Sequence, residues 1–324
     1  MKTVYKYIDV FSGAGGFSLG FHLTGRFKSL LAIDNFKPAA LTYKTNFPHA
    51  LVVNEDVKEL DKELLTGIVK PDEIDVIIGS PPCEPFTGAN PMRKRDPLDR
   101  LYSDPMGQLT LHFIRIVGYY RPKIFVMENV PAITEDGLRD ALSIEFKRVG
   151  YEKIYFNALL AEDYETPSHR KRVFISNIPI TPRKSSRRIT VKEALSNLPE
   201  PGEAFPNHER PPDPPWRKLK RIHRLRWGDA LIHYHGAEKP LPNMVKLNPN
   251  TIAPTVLGSS RFIHPFEDRF LTVREQARLM GFTDTFVFIG GRDEQYNMVG
   301  EAVPAPLAKA IAWYLAGKLD EEVT

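Results

Sequence analysis

Short apolar runs that end in Gly, Asp, Asn or Glu recur along the first half of the chain. Tyr5-Lys6-Tyr7-Ile8-Asp9-Val10-Phe11, Leu30-Leu31-Ala32-Ile33, Ala50 to Val53, Asp75 to Gly79 and Ile124-Phe125-Val126-Met127 are too short for helices and rich in β-branched or aromatic residues. They predict buried strands. The segments between them predict helices: one from near Phe17, one over Lys37–Asn46 with Pro38 in its first turn, and an amphipathic one over Leu109–Tyr120. Gly150 precedes a sixth strand over Glu152–Asn157, and Arg172–Ser176 makes a seventh. Strands that alternate with helices predict an α/β fold, an open and mostly parallel Rossmann-like sheet with helices on both faces.

After Asn177 the pattern breaks. Prolines at 199, 201, 206, 211, 212, 214 and 215 interrupt any element, and a dense cationic run follows from Arg217 to Trp227. Helical spacing returns over Thr272–Met280, where Thr272 and Glu275 have the spacing of a capping box and Gly281 stops the helix. A last helix is expected over Ala305–Ala316. These changes divide the chain into 1–179, an irregular and smaller domain over 180–262, and a closing segment over 263–324.

Composition narrows the classes. The chain has 324 residues, a net charge of +4 and one cysteine. A lone cysteine excludes an intramolecular disulfide and any multi-cysteine zinc site, and suits a reducing compartment. No stretch is apolar for long enough to span a bilayer, and Met1-Lys2-Thr3 leads directly into a strand-like run, so a cytoplasmic protein with no bound metal and no membrane partner is expected.

Candidate chemistry lies at the strand ends. The run Ile74–Ile78 stops at Gly79-Ser80-Pro81-Pro82, which no regular strand continues through, and directly after it comes the thiol of Cys83. A Gly-rich loop, Gly13-Ala14-Gly15-Gly16, follows the first strand; Ser18 stands where a dinucleotide fingerprint has its last glycine. Asp34 ends the second strand, where it can accept hydrogen bonds from ribose hydroxyls, and Asp56 ends the third, where an adenine amino group can sit. This order suits S-adenosylmethionine, a nucleoside ligand without phosphate. A thiolate adding to C6 of cytosine makes C5 nucleophilic, and Glu128 at the end of the adjacent strand can assist at N3 if burial raises its pKa.

These residues resemble the C5-cytosine-specific DNA methyltransferases of the prokaryotic, restriction–modification type, in order from Tyr7 to Tyr314 apart from the basic insert. Asp9–Gly16 resembles the family's first motif, Pro82-Cys83 with Phe86 its nucleophile motif, and Glu128-Asn129-Val130 its Glu-Asn-Val. Pro167–Arg172 resembles its Pro-Gln-x-Arg-x-Arg, Arg269–Phe282 its anchoring helix, and Val299–Pro304 its last motif. The resemblance implies a DNA (cytosine-5-)-methyltransferase on the S-adenosylmethionine-dependent methyltransferase fold. Cys83, Glu128, Arg170 and Arg172 would be catalytic, with Arg172 on the cytosine O2 and Arg170 in support. The cofactor would meet Phe11, stacked on adenine, then Ser12, Gly13, Gly15, Gly16, Asp34, Asn35, Asp56, Val57, Ser80, Pro82, Leu109, Glu301 and Ala302.

Residues 180–262 would carry target recognition, with Arg217, Lys218, Lys220, Arg221, Arg224 and Arg226 facing double-stranded DNA. Thr87, Ala89, Arg93 and Arg95 would belong to a mobile loop closing over a flipped base. A monomer with a cognate restriction endonuclease is the expected setting. Glu84 and Ser168 stand where the family has Gln, Glu301 where it has Asn, Asp34 where Glu is commoner, and Asn35 at a site that is often aromatic. Two other readings stay open: a transfer-RNA cytosine-5 methyltransferase on the same framework, and a catalytically inert DNA-binding regulator. Ser80-Pro81-Pro82 is also like the motif of amino-methyltransferases, which have an aromatic residue and no thiol at the next position. A deaminase-type zinc site lacks its second cysteine, since position 86 is Phe, and His233-Tyr234-His235 reads as structural or DNA-facing.

Overall fold

A computed structural model describes residues 3–237 and 239–323. In chain order the elements begin with β1 (Tyr5–Val10), α1 (Gly16–His22), β2 (Phe27–Ile33), α2 (Lys37–Asn46) and β3 (Leu51–Val53). They continue with α3 (Lys62–Ile68), β4 (Val76–Gly79), α4 (Pro97–Tyr102), α5 (Leu109–Tyr120), β5 (Ile124–Asn129) and α6 (Leu138–Arg148). Then come β6 (Tyr155–Leu160), β7 (Lys171–Ser176), α7 (Val191–Leu195), α8 (Trp216–Ile222) and the pair β8 (Ala230–His235) and β9 (Pro240–Val245). Helices α9 (Val273–Leu279), α10 (Arg292–Glu301) and α11 (Ala305–Val323) close the chain.

The main sheet has seven strands in the order β3-β2-β1-β4-β5-β7-β6. Strands β1 to β5 pair in parallel, whereas β7 runs antiparallel to both β5 and β6. The fold is therefore the mostly parallel α/β architecture expected of S-adenosylmethionine-dependent methyltransferases. The chain leaves β1 toward β3 on one side and resumes at β4 on the other. Strand order reverses between β1 and β4, and a crevice opens at their carboxyl ends.

Both faces of the sheet are covered. Ile8, Ile77, Phe125 and Met127 pack with Phe113, Val117 and Phe146 of α5 and α6. On the other face Tyr7, Ile78, Val126 and Phe174 pack with Phe17 and Phe21 of α1 and with Leu307, Ile311, Leu315 and Leu319 of α11. Helices α1 and α11 touch at Gly20, where a β-carbon would lie 2.4 Å from the Ala308 β-carbon. Only glycine lets the closing helix dock there, and that docking returns Val299–Pro304 to the crevice.

Several boundaries moved for tertiary reasons. Strand β5 continues through Asn129 because Glu128 and Asn129 pair with Phe174 and Val173 of β7, so Glu128 lies on the strand rather than after it. Strand β1 stops at Val10, and Phe11 turns with φ of 58°. Strand β6 lies three residues later than its apolar pattern suggests; as an edge strand it takes its place from pairing with β7. Helix α11 outruns Ala316 because Leu319 joins the core and Asp320 accepts from Tyr5 Oη at 2.7 Å and pairs with Arg26 at 2.6 Å. In the irregular segment a two-stranded hairpin, β8–β9, covers a small core of Ile222, Leu231 and Ile263. Pro240 and Pro242 are tolerated because β9 has a single partner.

Candidate active site

The turn after β4 is clamped from both sides. A β-carbon on Gly79 would sit 2.4 Å from Val10 O and 2.5 Å from the Phe113 ring, so nothing larger fits at the strand end. Ser80 N–H donates to Val10 O at 3.2 Å, and Asn129 Nδ2 donates to Pro81 O at 3.1 Å. Beyond the prolines, the N–H groups of Phe86 and Thr87 both donate to Cys83 O, at 3.0 and 2.9 Å, and Phe86 is fully buried. Cys83 is thereby held half-buried at the crevice. Burial pushes its thiol up, Arg172 and Arg170 oppose that shift, and Glu128 and Glu301 add to it.

Arg170 and Arg172 are two residues apart at the start of β7, a spacing that turns both to one face. Arg172 Nε lies 2.9 Å from Glu128 Oε1, a buried ion pair beside the thiol. Arg170 acts as a strut. Its Nη1 donates to Val256 O at 2.8 Å and to Gly300 O at 3.0 Å, and its Nε has no partner among the described residues. Burial pushes its guanidinium down to about 9, with Arg172 adding to the effect. Ser168, one of the departures from the family pattern, is fully buried and donates to Leu279 O at 2.8 Å, capping the end of α9.

The crevice is a single cleft of about 830 Å³ whose wall includes Cys83, Glu128, Arg170 and Arg172. The same wall carries Phe11, Ser12, Gly13, Gly16, Asp34, Asn35, Asp56, Val57, Ser80, Pro82, Leu109, Glu301 and Ala302. Asp34 accepts the N–H of Gly13 at 2.8 Å and of Phe36 at 2.8 Å, and burial raises its pKa against those bonds. Asp56 caps the short turn at Val57, accepting from Lys58 N–H at 3.0 Å. Burial also raises Glu301, with Glu84 and Asp34 adding to it. Asp9, at the floor, is pushed up to about 8 by burial while it accepts from Ser18 Oγ at 2.5 Å. Ser18 therefore replaces the fingerprint glycine in order to hold a buried carboxyl.

Gly15 differs from its expected place. It is outside the cleft wall, has φ of 95°, and a β-carbon there would meet the Phe47 ring at 2.6 Å. Its bareness serves packing against α2. Gly16 is also tight against Val303 O, where a β-carbon would lie 2.6 Å away, so the loop and the last motif interlock. Phe36, Glu55, Leu257 and Asn297 line the cleft as well and went unnoticed in the sequence, and Tyr234, read there as structural or DNA-facing, also enters its wall. Phe36, the aromatic two places after Asp34, is the one a local signal could have revealed.

The cleft fits a cationic nucleoside. Ser12 lines the cleft and its buried Oγ has no partner among the described residues, Gly13 leaves its loop bare, and Asp34 offers two acceptors. Among the described residues, Asp34, Glu55, Asp56, Glu84 and Glu301 outnumber Arg170 and Arg172, the only basic residues in the wall.

The residues expected to face DNA separate into groups. Thr87 and Ala89 line the cleft. Arg93 is mostly covered, donating to Phe86 O at 3.0 Å and lying 3.8 Å from Glu135, so it staples the loop after the nucleophile. Arg95 is exposed. The cationic run forms α8 and its exit: Arg217, Lys220, Arg221, Arg224 and Arg226 are exposed, Lys218 is half-buried, and none reaches the cleft. Lys220 Nζ sits 3.6 Å above the Trp216 ring and Arg221 donates to Leu231 O at 2.7 Å. Among the described residues no three His, Cys, Asp or Glu side chains form a metal site, and no helix is long and apolar enough to cross a membrane.

The family model for C-5 cytosine-specific DNA methylase matches residues 5–316. A Methanocaldococcus jannaschii protein that bears a type II methyltransferase name is 50% identical over 309 residues, covering 94% of this chain and 97% of its own. The type II methyltransferase M.DdeI of Desulfomicrobium norvegicum is 32% identical, covering 95% of this chain and 88% of its own. Among solved structures, a prophage-encoded E. coli protein described as a DNA modification methyltransferase superposes with a TM-score of 0.78 at 26% identity, over 98% of this chain and 99% of that one.

Proposed function

The chain belongs to the C-5 cytosine-specific DNA methylase family and is a DNA (cytosine-5-)-methyltransferase, and we propose that Cys83 is its nucleophile, acting on a cytosine extruded from duplex DNA. The observation that carries this reading is the shared cleft. It holds a thiol just after a rigid strand end, a buried carboxylate–guanidinium pair beside it, and a bare glycine loop with acidic strand ends in the same wall.

Bound S-adenosylmethionine supplies an electrophilic methyl group. The Cys83 thiolate adds to C6, forming the S–C6 bond, and electron density moves to C5 while a proton held between Glu128 and N3 neutralises the charge that develops on the ring. C5 takes the methyl group, a base removes the C5 proton, and the S–C6 electron pair returns to sulfur as the bond breaks. Arg172 orients Glu128 through Nε, donates from Nη1 to Lys171 O at 2.8 Å, and offers Nη2 to the base O2. Ser12, Gly13, Asp34 and Asp56 would hold the cofactor's polar edges and Phe11 and Leu109 its apolar faces. Burial raises the thiol, and the Arg172 and Arg170 guanidiniums oppose that shift, which favours the thiolate that the reaction uses. Residues 180–262 serve as target-recognition region, and α8 tracks phosphates. We further propose that a monomer acts beside a cognate restriction endonuclease.

Incubation with S-adenosylmethionine and duplex DNA should yield 5-methylcytosine in one short sequence, read by nucleoside mass spectrometry and methylation sequencing. Cys83→Ser should abolish turnover. Wild-type turnover by that variant, an N-methyl product, or methylation confined to transfer RNA would falsify the reading.

A further inference from the structure

Strand β8 alternates its side chains: His233 and His235 point outward to solvent, and Tyr234 shares the opposite face with Gly236. The hairpin tip leans on the loop that follows the nucleophile. Ala237 N–H donates to Gly88 O at 2.8 Å, and a β-carbon on Gly236 would lie 2.8 Å from the same oxygen. Gly88 is five residues beyond Cys83 in the chain. Two residues back from this contact, Tyr234 enters the wall of the cleft that holds Cys83, Glu128 and Arg172. Among the described residues from Ile180 to Val245 it is the only one that does so. The ring is half-buried, burial pushes its phenol up, and no hydrogen bond engages the hydroxyl among the described residues.

An extruded base has lost both stacking neighbours, and an aromatic face recovers part of that loss whatever the base. Of the catalytic groups, the sulfur after β4 meets the C5–C6 bond from one face, and the carboxylate on β5 and the guanidinium on β7 address the ring edge. None of them is aromatic. We propose, resting on the extrusion reading above, that Tyr234 packs its ring against the extruded cytosine and holds it over Cys83, so that the recognition hairpin supplies a positioning residue to the catalytic pocket. The Ala237–Gly88 contact sets the depth to which the ring enters.

The test uses the full-length enzyme and a duplex with its recognition sequence, once methylation sequencing has identified that sequence, bearing 5-fluorocytosine at the target. Fluorine at C5 blocks proton loss, so the Cys83–C6 adduct accumulates and its rate of formation is read on a denaturing gel at saturating cofactor. Tyr234→Ala and Tyr234→Leu should slow adduct formation by about tenfold to a hundredfold, as expected for one base–aromatic stack. Tyr234→Phe should stay within about threefold of wild type, because the ring and not the hydroxyl is used. Melting temperature and S-adenosylmethionine affinity, which a stacking role leaves unmoved, separate this from misfolding. The deficit of Tyr234→Leu should persist when the target faces an abasic site, where the base is already unpaired. Loss of the deficit there makes Tyr234 a wedge and overturns the proposal, as does Tyr234→Leu reacting at the wild-type rate. A wild-type enzyme that forms no adduct overturns the nucleophile reading and the proposal with it.

Discussion

Replacing Arg170 with alanine tests whether one buried guanidinium joins the catalytic sheet, the end of the insert and the last motif. Its Nη1 donates to Val256 O at 2.8 Å and Gly300 O at 3.0 Å, and Nη2 lies 3.4 Å from Glu301 O, too long to weigh equally. Truncation orphans two buried carbonyls, at about 1–3 kcal/mol each. Against that, removing the charge relieves a desolvation cost that is visible in the depression of the guanidinium to about 9. The balance is a net loss of about 2–4 kcal/mol, in the range for breaking a buried network. Since Gly300–Ala302 is part of the cleft wall, cofactor affinity should fall together with melting temperature. Differential scanning fluorimetry with and without S-adenosylmethionine reads both. Arg170→Lys, which can reach one carbonyl, should recover part of the loss. A variant that melts within about 1 °C of wild type and binds cofactor normally would refute the strut, because a loss of 2 kcal/mol shifts the midpoint by more than that.

Three other expectations follow from the site. Alkylation of Cys83 by iodoacetamide should have its midpoint above that of a free cysteine, since burial raises the thiol and the unreactive protonated form persists to higher pH; Arg172→Ala should move it higher still, and a midpoint at or below the free value contradicts the assigned burial. Glu128→Gln should slow methylation by about 10²–10⁴-fold, the usual worth of a positioned acid, while DNA affinity changes little; near-wild-type kcat would remove Glu128 from the chemistry. Neutralising Arg217 and Arg224 should reduce the log–log salt dependence of DNA binding by about one to two units, and an unchanged slope would leave α8 as a solvated face.

Local chemistry in this chain was legible wherever one residue type at one element end decides the matter. Apolar runs of strand length marked β1, β2, β4 and β5, because burial on both faces needs continuous apolar sequence; the same kind of run marked β3, which is instead an edge strand with Leu51 exposed. The Pro-Pro turn with Cys83, the bare glycine loop and Asp34 could be read because strand ends in such a sheet face the ligand crevice. Partner choice was not legible. That β7 runs antiparallel, which carries β5 on to Glu128 and sets Arg172 against it, depends on pairing between segments about 45 residues apart. Gly15 and Arg93 carry the right residue types, yet one packs on Phe47 and the other staples its own loop. The proline-broken insert hid a hairpin, because a two-stranded ribbon needs neither apolar alternation nor a donor at every position. Tyr234 reaches the cleft only through the docking of that hairpin on Gly88. Periodicity along a chain records which residues leave water; which of them then meet is decided by long-range contacts that no local window contains.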